Sequence, residues 1–441
     1  MAHWGPGYPT VLAAGSVVFG TSMHAARWVN AGLCALTVVL GGLIVFRIRP
    51  SRVRALGAAL VLALLPTTLS VYAIVFADAM LIAASLATIL ALYSLVERPT
   101  PWRYALVATL AFVAVSAKYA GAAVAVAAGV TVAIVLAGSV GRRLVRGAIV
   151  AAPGLLFALL WLRRGDARGL VTHLPNDVDL STIAGTFGGW FGSGHATALR
   201  HVALAVVVLL VAAAIWTAFG RGLPPSRRAL TISLGLTGVL VLVIVAFSRS
   251  FVDALVGFNH RQLLPVQVVV VLLVASFRLP ASASRWLRVA AYGGIAVAAV
   301  VAIWPWSPRG GWVFLVQNRL TTIGALSDGV PAQSPDPAAR FVRTLPERSV
   351  IASDFPENIW LRTGRGAVQL PGRQDIEADR ANPDVDEQLH QLAGVLRGGG
   401  YLVLYTCRDE GEVFPTRTQL ERLMPMQQVF GHGATCVFRV R

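Results

Sequence analysis

The first 305 residues alternate between long apolar runs and short polar loops. Ten runs are apolar enough to form transmembrane helices, although several are shorter than the roughly 20 residues that a perpendicular helix needs. They cover residues 28–46, 55–72, 78–96, 104–117, 120–138, 147–162, 202–219, 230–248, 263–277 and 289–305. Only Lys118 and Tyr119 separate the fourth run from the fifth, which predicts a tight hairpin or a broken helix at that point. The pattern therefore predicts an α-helical polytopic membrane protein with about ten transmembrane helices.

The pattern changes after the aromatic segment 304–306, which is typical of a membrane interface. Short β-like runs then alternate with short amphipathic runs. Strands are predicted at 349–353, 367–370, 401–406, 427–430 and 435–440, and helices at 337–344, 357–363, 383–397 and 417–424. Alternating strands and helices predict a small α/β domain with a largely parallel sheet.

Three parts follow from this pattern. Residues 1–27 are weakly apolar and rich in glycine, and they are predicted to be an external or interfacial N-terminal segment. Residues 28–305 form the predicted transmembrane domain, and residues 306–441 form the predicted extracytoplasmic α/β domain.

Composition supports a membrane protein. Of the 441 residues, 56% are hydrophobic and 13% are charged, against about 25% charged residues in soluble domains. The net charge of +17 lies entirely in residues 1–305, because residues 306–441 hold 15 basic and 15 acidic side chains. An excess confined to membrane loops is a positive-inside bias, so we expect membrane lipids and no nucleic acid as partners.

The loops alternate in charge and thereby predict sidedness. One set carries 15 basic residues and a single acid, Glu97, whereas the other carries eight basic and five acidic residues. The first set is predicted to be cytoplasmic, which places both termini outside the plasma membrane. The basic residues of the first set lie at 47–54, 98–103, 142–146, 221–228 and 278–288.

Two ionisable residues lie at the predicted external ends of apolar runs. Lys118 is the one lysine beside 37 arginines, and its ammonium could bind a lipid phosphate or simply snorkel to the interface. The retention of a single lysine favours the phosphate. Asp78 could be a base, a metal ligand, a partner of Lys118 or an ordinary helix N-cap.

Further candidates lie in one predicted external loop and in the C-terminal domain. Arg249, His260 and Arg261 could bind a phosphate or lipid headgroups by charge-assisted hydrogen bonds. Cys407 and Cys436 are the two cysteines of a domain predicted to be outside, where disulfides form, and each lies at a predicted strand. We predict that they form a disulfide; the alternative is two buried thiols.

Several short segments, taken in order, resemble the C-type glycosyltransferases, the polyprenol-phosphate-sugar-dependent membrane enzymes that include protein O-mannosyltransferases and aminoarabinose transferases. Residues 3–9 (HWGPGYP) resemble the H-x-P-P-G-Y-P block of that family. The other similar segments are 25–31, Asp78, 116–119, 258–265 and 353–371. The resemblance implies an extracytoplasmic active site and inverting transfer of a hexosyl or pentosyl group from a polyprenyl-phosphate donor to a cell-envelope glycan, lipid or protein.

The resemblance also implies roles for individual residues. Lys118 and Arg261 would bind the donor phosphate, and Asp78 would be a secondary acid near the acceptor or a metal. The other residues of the implied substrate site are His3, Tyr8, Arg249 and His260. Some members of the family use a divalent metal ion, so such a cofactor is an expectation here.

One departure affects the expected activity. The principal carboxylate of the family lies in a first external loop that precedes the H-x-P-P-G-Y-P block, which here begins at His3. We therefore expect the catalytic loop to be missing and this chain to be inactive as given. A non-catalytic membrane protein that presents an extracytoplasmic binding domain is the alternative function. A transporter is less favoured, because paired inverted repeats with broken helices are not evident.

Overall fold

The computed structural model describes residues 5–20, 23–73, 76–164, 212, 223–251, 260–277, 284–286, 293, 337–356, 359, 363–375, 380–405, 407, 414–433 and 435–441. The chain divides into two compact units. The first comprises residues 1–251 and 256–320, and the second comprises residues 252–255 and 321–441.

The described part of the first unit is helical. Its helices are α1 (Gly7–Phe19), α2 (Met23–Ile48), α3 (Arg52–Leu64), α4 (Pro66–Ala73), α5 (Asp78–Glu97), α6 (Pro101–Ala117), α7 (Ala122–Val135), α8 (Val140–Arg164), α9 (Pro225–Phe251) and α10 (His260–Ser276). A short 3₁₀ turn, Tyr119–Gly121, joins α6 to α7.

Four of these helices are long and apolar enough to cross a membrane. The four segments are Ala25–Ile48, Asp78–Glu97, Val140–Trp161 and Pro225–Ser248. Shorter apolar helices account for four further parts of the chain: Gly7–Phe19, Pro101–Ala117, Tyr119–Val135 and Arg261–Ser276. Apart from single residues, the predicted spans 202–219 and 289–305 lie outside the described residues, so the predicted number of ten helices stays a prediction.

Two stretches differ from the sequence prediction. The single span predicted at 55–72 is two helices, α3 and α4, because Pro66 lacks the N–H that would continue the helix. The interfacial segment predicted at 1–27 contains helix α1, and α2 already begins at Met23. Helix α1 packs against α2 and α6, so its first turn is part of the helical core.

Arginines from two of the predicted cytoplasmic loops bond to helix ends in the first unit. Arg49 and Arg54 donate to the backbone carbonyls of Ser276 and Phe277 over 3.3 and 2.9 Å. Arg103 donates to the carbonyl of Ser94 over 2.6 Å. These bonds cap the C-terminal ends of α10 and α5, where partial negative charge favours a cation. The ends of the helices that begin at Asp78 and His260 therefore lie away from the arginine loops.

The second unit contains a mixed five-stranded sheet. Its strands are β1 (Ile351–Ser353), β2 (Val368–Gln369), β5 (Tyr401–Leu404), β6 (Met426–His432) and β7 (Thr435–Val440), in the order β2-β1-β5-β7-β6. Strands β3 (Gln374–Asp375) and β4 (Arg380–Ala381) form a separate pair. Helices α11 (Pro337–Thr344), α12 (Val385–Leu396) and α13 (Arg417–Leu423) complete the described elements of this unit.

The prediction of a largely parallel sheet is wrong for its second half. Strand β1 is parallel to both β2 and β5, but β7 is antiparallel to β5 and to β6. Strands β6 and β7 are joined by a short turn, in which Gly433 has a φ of +60°. A connection that short can join only antiparallel strands. Five residues of the helix predicted at 357–363 lie outside the described residues.

The sheet is covered on both faces. Leu389 and Leu396 of α12 and Leu420 of α13 pack with Phe438 in one apolar cluster. Val342 of α11 packs with Val403 and Val437 on the opposite face. The structure pairs Cys407 with Cys436 in a disulfide whose Cα atoms are 5.7 Å apart, a normal separation for such a bond.

Candidate functional site

A cluster of charged side chains lies at the end of the first unit opposite the arginine loops. Lys118 Nζ lies 2.7 Å from Asp78 Oδ1, and it also donates to Gln262 Oε1 over 2.7 Å. Arg261 Nε lies 3.5 Å from Asp78 Oδ2. We call Asp78, Lys118, Arg261 and Gln262 the ion cluster. It brings together three parts of the chain that are remote in sequence.

The local structure explains why Lys118 reaches this position. Its backbone is extended, at φ −158° and ψ 145°, so α6 ends there and the chain turns back at once into α7. The turn is tight because Gly121 lies directly on the backbone of α6: a Cβ atom at Gly121 would meet the carbonyl of Ala114 at 2.3 Å. The predicted tight hairpin at Lys118–Tyr119 is thus present, and it holds the ammonium at a helix junction.

The two cations differ in how firmly they are held. The Lys118 side chain is only 4% exposed and lies in contact with two oxygens, whereas the Arg261 side chain is 28% exposed. The Arg261 guanidinium lies 4.2 Å from the centre of the Phe76 ring, in a cation–π contact. Among the described residues, Asp78 Oδ2 and Arg261 Nε make no hydrogen bond, and their ion pair is loose. Arg261 is therefore the cation that faces outward.

The N-terminal block packs directly against the segment that carries Lys118. A Cβ atom at Gly5 would lie 2.0 Å from the backbone oxygen of Ser116, and one at Gly7 would lie 2.3 Å from its hydroxyl oxygen. In the H-x-P-P-G-Y-P block of the family that this sequence resembles, a proline occupies the position of Gly5. No side chain fits there, so the departure from the family motif accompanies a closer approach of the two backbones.

The structure places the other predicted site residues as follows. Tyr8 is buried beside Ala77 and Ala117, and its hydroxyl donates to Asn30 rather than reaching the ion cluster. The backbones of Arg249 and His260 lie in α9 and α10, but their side chains are outside the described residues. His3 is also outside them. The roles predicted for all of these residues stay predictions.

Sequence reasoning missed three participants. Gln262 lies within the family-like segment 258–265, but the charged residues beside it were the stronger signal. Phe76 lies two residues before Asp78. Asn30 lies within the family-like segment 25–31, where a single amide in an apolar run was the signal that could have identified it. A polar side chain in a membrane helix is costly unless it is partnered, and is therefore often functional.

The residues of the cluster do not fit a metal ion. Among the described residues, no group of three or more His, Cys, Asp or Glu side chains lies close enough together to bind one. Asp78 is also held between two cations, which would repel a third. The divalent cofactor stays an expectation from the resemblance.

Part of the chain matches a known protein family. Residues 5–160, which include Asp78 and Lys118, match the family model described as dolichyl-phosphate-mannose-protein mannosyltransferase. This stretch of the chain is similar to the protein mannosyltransferases among the C-type membrane glycosyltransferases. The resemblance predicted from the sequence is thus confirmed, and that relationship applies to the part of the chain that carries the N-terminal block and two members of the ion cluster.

The same fold occurs in solved structures. The apo form of ArnT from Cupriavidus metallidurans is similar with a TM-score of 0.59 and 15% identity, over 99% of this chain and 87% of that one. ArnT bound to undecaprenyl phosphate is similar with a TM-score of 0.60 and 16% identity, over 99% and 88% of the two chains. No curated protein sequence matches. At these identities the likeness shows the fold alone, which this chain shares with the two ArnT structures.

Proposed function

We propose that this C-type protein is a membrane glycosyltransferase that binds a polyprenyl-phosphate-linked sugar donor at the ion cluster. The observation that carries the proposal is the pairing of Lys118 and Arg261 on one buried carboxylate. Two cations close together, one of them partly exposed, suit a phosphate group. The bound state of ArnT, which holds undecaprenyl phosphate, supports the choice of ligand.

The cluster suits stabilisation of a leaving group. When a glycosyl phosphate reacts, the bond between C1 of the sugar and the phosphate oxygen breaks, and its electron pair stays on the phosphate. Lys118 and Arg261 would stabilise that negative charge, and they act more strongly in a site from which water is excluded. Asp78 fits the role of their counter-ion, because each of its oxygens faces a cation.

The deprotonation of the acceptor requires a second group. Both oxygens of Asp78 face cations, so we assign the principal base to another carboxylate, as the resemblance implies. The acceptor, a cell-envelope glycan, lipid or protein, is part of the proposal. Donor turnover by this chain, beside a chain extended at its N-terminus, tests whether the principal base precedes residue 3.

The phosphate role is tested by Lys118→Met in the full chain in detergent. The substitution removes the ammonium but keeps an unbranched side chain of similar length. We expect the affinity for undecaprenyl phosphate to fall by at least about tenfold, because a hydrogen bond to a charged group contributes about 1.5–3 kcal/mol. Binding is measured by native mass spectrometry with increasing lipid.

Arg103→Met is the matched control. Arg103 lies at the opposite end of α6 and donates to backbone carbonyls there, so its loss removes one positive charge without touching the cluster. It is expected to bind the lipid like wild type. Equal affinity of Lys118→Met and wild type would contradict the phosphate role. Absence of binding by the wild-type chain would favour the non-catalytic alternative.

A further inference from the structure

Asn30 of α2 is a fully buried amide that joins two segments of the first unit. Its Oδ1 accepts a hydrogen bond from the Tyr8 hydroxyl over 2.8 Å, and its Nδ2 donates to the backbone carbonyl of Tyr72 over 3.1 Å. Asn30 has no solvent exposure. It lies within the candidate span Ala25–Ile48, where an unpartnered amide would be costly. Both polar ends of this side chain are therefore used to hold other segments.

The first segment leads to Lys118. Tyr8 lies in the first turn of α1, directly after the two glycines that approach Ser116. The backbone of Ser116 lies two residues before Lys118, in the last turn of α6. A bond that fixes Tyr8 therefore fixes the surface against which the end of α6 packs.

The second segment leads to Asp78. Tyr72 is near the end of α4, and the chain continues through Phe76 to Asp78 at the start of α5. Phe76 supports the Arg261 guanidinium, and Asp78 pairs with both cations. The Tyr72 hydroxyl is itself hydrogen-bonded to Thr37 of α2 over 2.6 Å. Helix α2 thus bonds both to the segment that leads to Asp78 and to the segment that packs against the end of α6 beside Lys118.

We propose that Asn30 is a positioning residue for phosphate binding, which fixes the spacing of Lys118, Asp78 and Arg261 without touching the ligand. The inference rests on the proposed function of the ion cluster. Charge-assisted hydrogen bonds depend steeply on distance and angle, so a small shift of one segment lowers phosphate affinity. An amide can hold two segments at a fixed spacing because a single side chain donates to one of them and accepts from the other.

The test is a double-mutant cycle in the full chain with undecaprenyl phosphate as the probe. Asn30→Leu keeps the volume and removes both hydrogen bonds. We expect it to weaken lipid binding by about tenfold, the effect of losing roughly 1.4 kcal/mol. Asn30→Leu combined with Lys118→Met is expected to bind less than about tenfold more weakly than Lys118→Met alone, because part of the effect of Asn30 passes through the lysine and is already lost.

Thr37→Val is the matched control. It deletes another buried hydrogen bond between α2 and α4 but leaves the bonds of Asn30 to Tyr8 and to the Tyr72 carbonyl in place. It is expected to lower the unfolding temperature with less than a twofold change in lipid affinity. Equal weakening by Thr37→Val and Asn30→Leu would show general loosening of the helices and would overturn the positioning role.

The remaining outcomes separate the inference from the proposed function. Wild-type affinity in Asn30→Leu together with weak binding by Lys118→Met overturns the inference alone. Wild-type affinity in Lys118→Met overturns the proposed function. If Asn30→Leu does not fold, Tyr8→Phe decides the question, because it removes only one hydroxyl; an approximately threefold loss of affinity supports the proposal, and no loss overturns it.

Discussion

Asp78 pairs with two cations, and its ion pair with Lys118 is almost completely buried. Its side chain is 1% exposed, and that of Lys118 is 4% exposed. Burying ions is costly, and the cost is recovered only when each charge has well-placed partners. The carboxylate, the amide oxygen of Gln262 and the ring of Phe76 supply those partners here. Removing the carboxylate would leave the buried ammonium of Lys118 without its counter-ion.

Asp78→Leu is therefore expected to destabilise the first unit by about 3 kcal/mol, since it leaves Lys118 buried without its counter-ion. Adding Lys118→Met should restore most of that loss, because the second substitution removes the orphaned charge. The measurement is the thermal unfolding of Asp78→Leu, Lys118→Met, the double variant and wild type in one detergent.

Glu421→Gln provides a comparison for that experiment. It breaks the Arg417–Glu421 ion pair, whose side chains are 40% and 43% exposed and which contributes little because it is screened. Its unfolding temperature should stay at the wild-type value. Additive destabilisation by Asp78→Leu and Lys118→Met would mean that the two groups do not stabilise each other.

The sequence identifies the charged residues of the cluster, and it offers the pairing of Asp78 with Lys118 as one of several alternatives without selecting it. Lys118 stands out as a solitary lysine, and Asp78 and Arg261 stand at the ends of apolar runs. Which oxygen each cation contacts depends on the packing of α5, α6 and α10, which periodicity does not encode. Asn30 was missed because one amide hardly changes the mean hydropathy of a 26-residue helix.

At the scale of elements, close packing of small residues joins α7 to α8. A Cβ atom at Gly147 would meet the backbone oxygen of Gly129 at 2.5 Å, and one at Gly129 would meet the backbone oxygen of Gly147 at 2.8 Å. Contacts this short let the two backbones touch, as is common where helices pack in a membrane. Only a small part of α8 is buried against other helices, and much of the rest is apolar. The contact between Gly129 and Gly147 is therefore a main point at which α8 is attached to α7.

Gly147→Ala is expected to lower the unfolding free energy by about 1–3 kcal/mol, because its methyl group forces the two helices apart. Gly141→Ala, on the same helix, has nothing within 4 Å of the new methyl group. That variant should be neutral or stabilising, since alanine favours a helix over glycine by about 1 kcal/mol. If α7 and α8 touch at Gly129 and Gly147, thermal unfolding should show a lower unfolding temperature for Gly147→Ala and an unchanged or higher one for Gly141→Ala. Equal effects would argue against that contact.

Elements were predicted better where the signal is local. The strands near 351, 401 and 435 and the helices near 337, 385 and 417 lie where composition and period place them. The helix break at Pro66 was missed, although proline is a local signal, because the apolar run continues through it. The antiparallel half of the sheet was missed because strand direction depends on partners distant in sequence.

At the scale of the whole molecule, helices α5 and α10 of the first unit have arginines at their C-terminal ends and the ion cluster at their N-terminal ends. Arg49 and Arg54 donate to the carbonyls of Ser276 and Phe277, so the predicted cytoplasmic segment 47–54 lies beside the C-terminal end of α10. The Lys/Arg bias assigns that end to the cytoplasm, and the ion cluster is then extracytoplasmic. The orientation itself is a prediction from charge.

Single cysteines test this orientation in a Cys34→Ala background. Arg52→Cys and Pro225→Cys are expected to resist a membrane-impermeant maleimide in intact cells and to react after lysis. Arg441→Cys, at the end of the predicted external domain, should react before lysis. Labelling of residue 225 from outside would reverse the assignment.

Helix α10 is joined to the rest of the first unit along its whole length. At one end Gln262 accepts from Lys118, and in the middle Gln267 accepts from Thr67. At the other end the carbonyls of Ser276 and Phe277 accept from Arg49 and Arg54. All of these partners are synthesised at least 144 residues earlier in the chain. During biosynthesis the earlier helices are therefore made well before α10, and Lys118 and Asp78 gain their contacts with Gln262 and Arg261 only after α10 has been synthesised.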